Sequence, residues 1–271
     1  MDFESSETPD TPEVDSPDAG SRAAEMLAEI VQSLKQVEPT AFLVQARVLR
    51  RVVKHEWELP TMSVMVPHRK SRVVTRNLIL RHVDWDELGL EPHSDLPDKA
   101  ILLAQPDEKL LESISPGELK LMVWRLLFHS KIHLVYDQLI EAGKIDAAGF
   151  RRRIDRLGQV EFDEIHSVLR REQFVDAEAS LPNVFVEFAA VYGELKHFSP
   201  HCLSSYFPSF KSFSTVDELL REDLDLESLL LGSRLGDAPD PVPPMAPGEV
   251  DETDEELESV TGHSSPEVAV S

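Results

Sequence analysis

His129 and His133 stand four residues apart, and on a helix that spacing puts both imidazoles on one face, within reach of a single metal ion. Ser-Lys-Ile separates them, so the glutamate that directly follows the first histidine in zinc-peptidase helices and activates their water is replaced by Ser130. That motif is excluded, while the ligand pair remains. Two more histidines follow an acid at i, i+3, Asp163 with His166 and Glu194 with His197, and Glu187 falls on the same helical side as Glu194. Glu-x-x-His is the spacing of di-iron and di-manganese carboxylate bundles, but those need two copies and two further glutamates. This chain has one copy and one Asp variant. His129, His133, His166, Glu194 and His197 therefore make a partial ligand set for one or two divalent metal ions.

The same helical face carries Glu118, Arg125 and Tyr136, a polar stripe on an apolar segment. Three kinds of chemistry fit it. It can be a polar network in which the stripe is satisfied by neighbouring helices. It can be a groove in which Arg125, His129 and Tyr136 meet an anionic or phosphorylated ligand. Or it can be the metal centre.

Other chemistry is thin. Cys202 follows His201 without an acyl-transfer motif, and reads as a structural thiol. No Gly-rich phosphate loop occurs among 11 glycines. Tyr192, Phe198, Tyr206, Phe207, Phe210 and Phe213 gather around two prolines and read as core and loop anchoring.

Charge is unevenly spread. The chain has 271 residues with 27 Lys+Arg against 50 Asp+Glu, a net of −23. Residues 1–22 carry −6 and residues 235–271 carry −10, and both are rich in Pro, Ser and Thr, a composition that buries too little apolar surface to offset ordering; both are expected to be disordered tails. Residues 45–82 are instead +7, with Arg47, Arg50, Arg51, Lys54, Arg69, Lys70 and Arg72 among the cations. Such a block serves an anionic partner, or it is matched by acids of the same body. No helix-turn-helix, zinc finger or aromatic ribonucleoprotein motif accompanies it, so nucleic acid has no supporting fold. One cysteine and the lack of a long apolar run point to a cytoplasmic chain without a membrane span.

The elements that must position these residues are mostly helical. Apolar spacing predicts helices over 21–37 and 41–56, the second capped by Thr40. A β-hairpin is expected over about 60–75, a helix over 76–82, and a short strand near 100–104. The best-marked helix runs from 116 to 142, where Ser115-Pro116-Gly117-Glu118 forms an N-cap with a capping box and Gly143 stops it. Its sequence is apolar around most of its circumference, as a central helix should be. Further helices are expected at 147–157, 162–173, 183–197 and 216–230.

The chain is thus expected to be mainly α, a multi-helix body with a minor β element. An N-terminal lobe with the basic face would span 23–106, and a C-terminal lobe around the central helix would span 107–234. The leading functional expectation is a non-enzymatic interaction or regulatory module that needs no cofactor and meets a protein partner or anionic ligand through Arg47, Arg50, Arg51, Lys54, Arg69, Lys70, Arg72 and Arg125. The competing one is a metal-dependent hydrolase or oxidase built on the central helix.

Overall fold

Met26, Ile30 and Leu34 recur every fourth residue and are all buried, which fixes the first helix, α1 (Ala19–Val37), against the rest of the body. The computed structural model describes residues 19–56, 70–176 and 178–241. Among them are eleven α-helices and one three-stranded sheet, the mainly α architecture expected. The described residues up to Pro241 belong to one compact unit.

The first departure from expectation follows α1. Ala41–Val44 is a strand, β1, rather than the opening of a helix, and α2 (Ala46–Glu56) starts only after it. The reason is the unbroken apolar run Ala-Phe-Leu-Val, buried on both faces, which suits a parallel strand as well as a helical stripe. Thr40 accordingly caps nothing; its hydroxyl donates to Glu38 at 2.7 Å. Next come β2 (Ser71–Thr75), α3 (Arg76–His82) and β3 (Lys99–Ala104). Their order in the sheet is β1-β3-β2, with β1 parallel and β2 antiparallel to the central β3. The expected first arm of a hairpin, before residue 70, lies outside the described residues.

Alternation along the strands divides the apolar interior. Ala41, Leu43, Ile101 and Leu103 join the larger core, whereas Phe42, Val44, Ala100 and Leu102 join a smaller one with Val48, Leu49, Val52 and Val53 of α2. The larger core takes residues from both sides of position 107.

After the short α4 (Glu108–Ser113), the central helix α5 (Pro116–Glu141) begins as its sequence dictates. Ser115 accepts from the backbone N–H of Glu118, and the Glu118 carboxylate accepts from that of Ser115. Gly143, at φ +66°, ends the segment in the left-handed region. Then follow α6 (Ala147–Leu157), α7 (Gln159–Arg171) and α8 (Leu181–Phe198), the last capped by Ser180. α8 is buried almost continuously from Val184 to Leu195 and packs along α5. The expected single helix over 216–230 is interrupted: α9 (Leu203–Tyr206) is followed by α10 (Ser214–Arg221) and α11 (Leu226–Leu231). Asp225 makes the break by accepting from Ser228 N–H, which starts a new helix.

The acidic ends also begin further out than composition suggested. Residues 19–22 are already helical in α1, and beyond α11 Leu235 and Ala238 are buried while Asp237 pairs with Lys120 at 2.6 Å. The remaining tail residues, 1–18 and 242–271, lie outside the described residues.

Candidate functional site

Two adjacent helices supply the polar groups. α5 presents Arg125, His129 and His133 at successive fourth positions, and α8 presents Glu187 and Glu194 seven residues apart. The Nε2 atoms of His129 and His133 are 3.2 Å apart. Glu187 lies between them, with one carboxylate oxygen 3.4 Å from His129 Nε2 and the other 3.4 Å from His133 Nε2. The other ring nitrogen of His129 points the opposite way, where Nδ1–H donates to Glu194 at 2.9 Å. Glu194 in turn accepts from Arg125 Nε at 2.5 Å. Among the described residues, His129, His133 and Glu187 are the group whose donor atoms lie close enough together to share a metal ion.

Burial sets the charge states. Enclosure of His129 works against its charged form, but the hydrogen bonds and attraction of Glu187 and Glu194 outweigh that and raise its pKa to about 9. Burial pushes Glu194 upward as well, yet His129 and Arg125 prevail and hold it below the usual carboxylate range.

The site opens on a cavity of about 560 Å³ between the start of β2, α5, residues 172–176 with Ala179, and α8. Lys70, Arg72, Arg125, Asp137, Glu187 and Glu194 bring charge to its wall, and Val73, Met122, Leu126, Phe174 and Val186 make it apolar elsewhere. That volume is ordinary for a small-ligand site. Ser130, in the place where a zinc-peptidase helix would have its base, is buried and donates to Leu126 O at 2.9 Å.

The residues singled out from sequence therefore divide. His129, His133 and Glu194 come together, joined by Arg125 and by Glu187. His166 and His197 are not among the cavity-lining residues, and the Nε2 of each is buried without a hydrogen-bond partner. His197 meets the ring of Phe128 edge-on at 5.6 Å, and its pKa is lowered by burial. Asp163 accepts from Gln159 at 2.7 Å. Of the expected polar stripe, Glu118 closes the capping box, and Tyr136 is buried, donating to Asp223 at 3.3 Å.

The basic block divides too. Arg47 and Arg50 are exposed on α2, and Lys54 is half-buried. Arg51 is held by the Glu87 carboxylate and by His82 O at 2.7 Å. Lys70 and Arg72 line the cavity, and Arg69 lies outside the described residues. No described helix is long and apolar enough to cross a membrane.

The chain matches no protein family, no curated protein and no solved structure. Its site therefore has to be read from its own geometry.

Proposed function

We propose that this protein binds one divalent metal ion of the zinc class through His129, His133 and Glu187, and that it is a metal-dependent hydrolase acting on a ligand in the adjoining cavity. One observation carries the reading. Zinc–nitrogen and zinc–oxygen bonds of about 2.0–2.2 Å in a tetrahedron place neighbouring donors roughly 3.3–3.6 Å apart. Here the two histidine Nε2 atoms are 3.2 Å apart and each lies 3.4 Å from a different oxygen of Glu187, so the three side chains bring one donor apiece within 4.8 Å of one another. The outer shell agrees, because a metal-ligating histidine gives its second ring N–H to a carboxylate that fixes its tautomer, and Glu194 takes that position. Two histidines and one glutamate leave a coordination position for water on the cavity side, the pattern of catalytic rather than structural zinc.

With Ser130 engaged in the helix, an ion held by His129, His133 and Glu187 would itself supply the nucleophile, by lowering the pKa of a water towards neutrality. Hydrolysis then adds one water across the scissile bond, the oxygen to the electrophilic centre and the proton to the leaving group. A reducing, cytoplasmic setting accords with a lone cysteine.

The test is metal content by inductively coupled plasma mass spectrometry on untagged protein, after zinc loading and gel filtration. Wild type should carry close to one ion per chain, and His129→Ala/His133→Ala and Glu187→Gln should lose it. A wild-type protein that emerges without metal overturns the reading.

A second reading rests on Arg47 and Arg50, which project to solvent from α2. It makes this face a docking site for an anionic partner, without chemistry. Arg47→Gln/Arg50→Gln should then elute earlier from a sulfated polyanion column with an unchanged melting temperature, and identical elution would remove it.

A further inference from the structure

Arg153 and Arg125 show two ways of holding an arginine in this fold. Arg153 uses all three of its nitrogens on the protein: Nε and one terminal amino group donate to Asp223 at 2.7 and 2.5 Å, and the other donates to Gly149 O at 3.1 Å. Arg125 uses only Nε, on Glu194 at 2.5 Å. Its two terminal amino groups donate to no described residue, its side chain is 42% exposed, and it lines the cavity beside the metal-ligand triad. A guanidinium held in this way is oriented through one nitrogen and keeps a pair of parallel N–H groups for another acceptor.

The other charges on the described wall point to an anionic acceptor. Each acid there already has a partner: Glu187 lies against His129 and His133, Glu194 takes His129 and Arg125, Asp137 accepts from Lys99 at 2.9 Å, Glu172 from Arg171 Nε at 3.0 Å, and Asp176 from Glu178 N–H at 2.9 Å. Lys70 adds an exposed ammonium to the same wall. Position matters as well as charge. Arg125 precedes His129 by one turn of α5, about 6 Å along its axis, and the contacts run from Arg125 through Glu194 to His129 and on to Glu187 and His133. The open guanidinium edge and the triad thus stand at opposite ends of one chain of contacts, and both ends line the cavity.

We infer that the ligand of this cavity carries an oxyanion group, a carboxylate or a phosphate, which pairs with the two terminal amino groups of Arg125 while the bond to be hydrolysed lies at the metal, about one helical turn away. This rests on the metal reading above and narrows its substrates to amides or esters that bear such a group.

The experiment uses the full-length protein loaded with zinc, its metal content checked for every variant, and measures binding by calorimetry. The probes are the monohydroxamate of succinic acid, in which the hydroxamate takes the metal and the far carboxylate is free, its neutral methyl ester, and the matching phosphonate with its neutral diester. One of the two anionic probes should bind about 10-fold or more tighter than its own neutral ester, the size of a two-pronged charge-assisted hydrogen bond, and which of them does so assigns carboxylate or phosphate. In Arg125→Gln that ratio should fall to near one, and in Arg125→Lys, which keeps the charge but not the paired donors, below about threefold. Taking the ratio within each variant cancels any effect of Arg125 on zinc affinity, and Arg125→Lys decides if Arg125→Gln does not fold. Equal binding of the anionic probes and their esters overturns the inference and leaves the metal site standing. A ratio in the variants as large as in wild type overturns it too, since the metal's own charge would then account for the preference. Absence of zinc from the loaded wild type, with no hydroxamate bound, overturns the metal reading and the inference with it.

Discussion

On the proposed reading, a metal ion and a proton compete for the same atom of His129, and the competition can be measured. In the metal-free site His129 sits between Glu187 and Glu194, and its pKa is raised to about 9. Among the described residues, the charged and titratable groups that face it include Glu187 and Glu194 from α8 and His133 and Arg125 from α5. A metal ion needs the neutral imidazole, so binding must expel a proton. At pH 7 a group titrating near 9 is deprotonated in roughly one molecule in a hundred, and at pH 8 in about one in eleven. Apparent zinc affinity should therefore rise about ninefold between pH 7 and 8 and level off above 9. A histidine at its ordinary value near 6.5 would give only about a 1.3-fold change over the same interval.

The assay is competition against a fluorescent zinc chelator, corrected for the chelator's own protonation. One proton released on binding at pH 7, seen as a difference in calorimetric heat between buffers of different ionisation enthalpy, is the companion result. A change of less than about twofold from pH 7 to 8 would refute the claim that Glu187 and Glu194 hold His129 protonated, even if zinc bound well.

Three more expectations follow from the same contacts. Glu194→Gln keeps an acceptor for His129 Nδ1–H but removes its charge, so zinc affinity at high pH should fall roughly 10- to 100-fold and the pH slope should flatten, checked in the same competition assay. The metal-free protein should lose stability as pH rises: a folded-state pKa above the unfolded one stabilises fully below 6.5 and is lost through 9, an effect of about 3 kcal/mol between pH 6 and 9.5, read from urea midpoints with a chelator present. The opposite trend would contradict the assignment. Phe188→Ala should cost about 3–5 kcal/mol in denaturant unfolding, because Phe188 is fully buried with ring neighbours at Tyr192 (5.9 Å), Phe207 (5.3 Å) and Phe210 (6.2 Å); a loss below 1.5 kcal/mol would mean that this core relaxes around the gap.

Local signals made the helices that build the site legible. Ser115, Pro116 and Glu118 mark the start of α5 and Gly143 its end, because capping is chemistry between near neighbours. The His129–His133 pair was legible for the same reason, since a helix converts a four-residue spacing into one face. What spacing cannot say is which face meets which. Asp163-x-x-His166 and Glu194-x-x-His197 have the same form, yet Glu194 reaches the site and the two histidines do not line it, since the turn of α7 and α8 against α5 depends on apolar packing throughout the body. Glu187 was visible only as a companion of Glu194. β1 was lost to a helix because Ala41–Val44 is apolar at every position and its partner β3 is some sixty residues away.

If the proposed reading holds, the charge of a divalent ion would change the balance of the site. With His129 protonated, the described residues set two carboxylates, Glu187 and Glu194, against two cations, His129 and Arg125. Exchanging the proton for a divalent ion keeps every carboxylate occupied and adds one positive charge, and that charge sits on the atom with a free coordination position. The excess would lie next to the cavity, where it would lower the pKa of a bound water and polarise a carbonyl. Arg125 matters here without touching the metal: by neutralising Glu194 it lessens the pull on His129's proton, which makes displacement by zinc easier. Arg125→Ala should thus raise the pH at which zinc displaces the proton, whereas a purely structural Arg125 would change stability and leave that pH where it is.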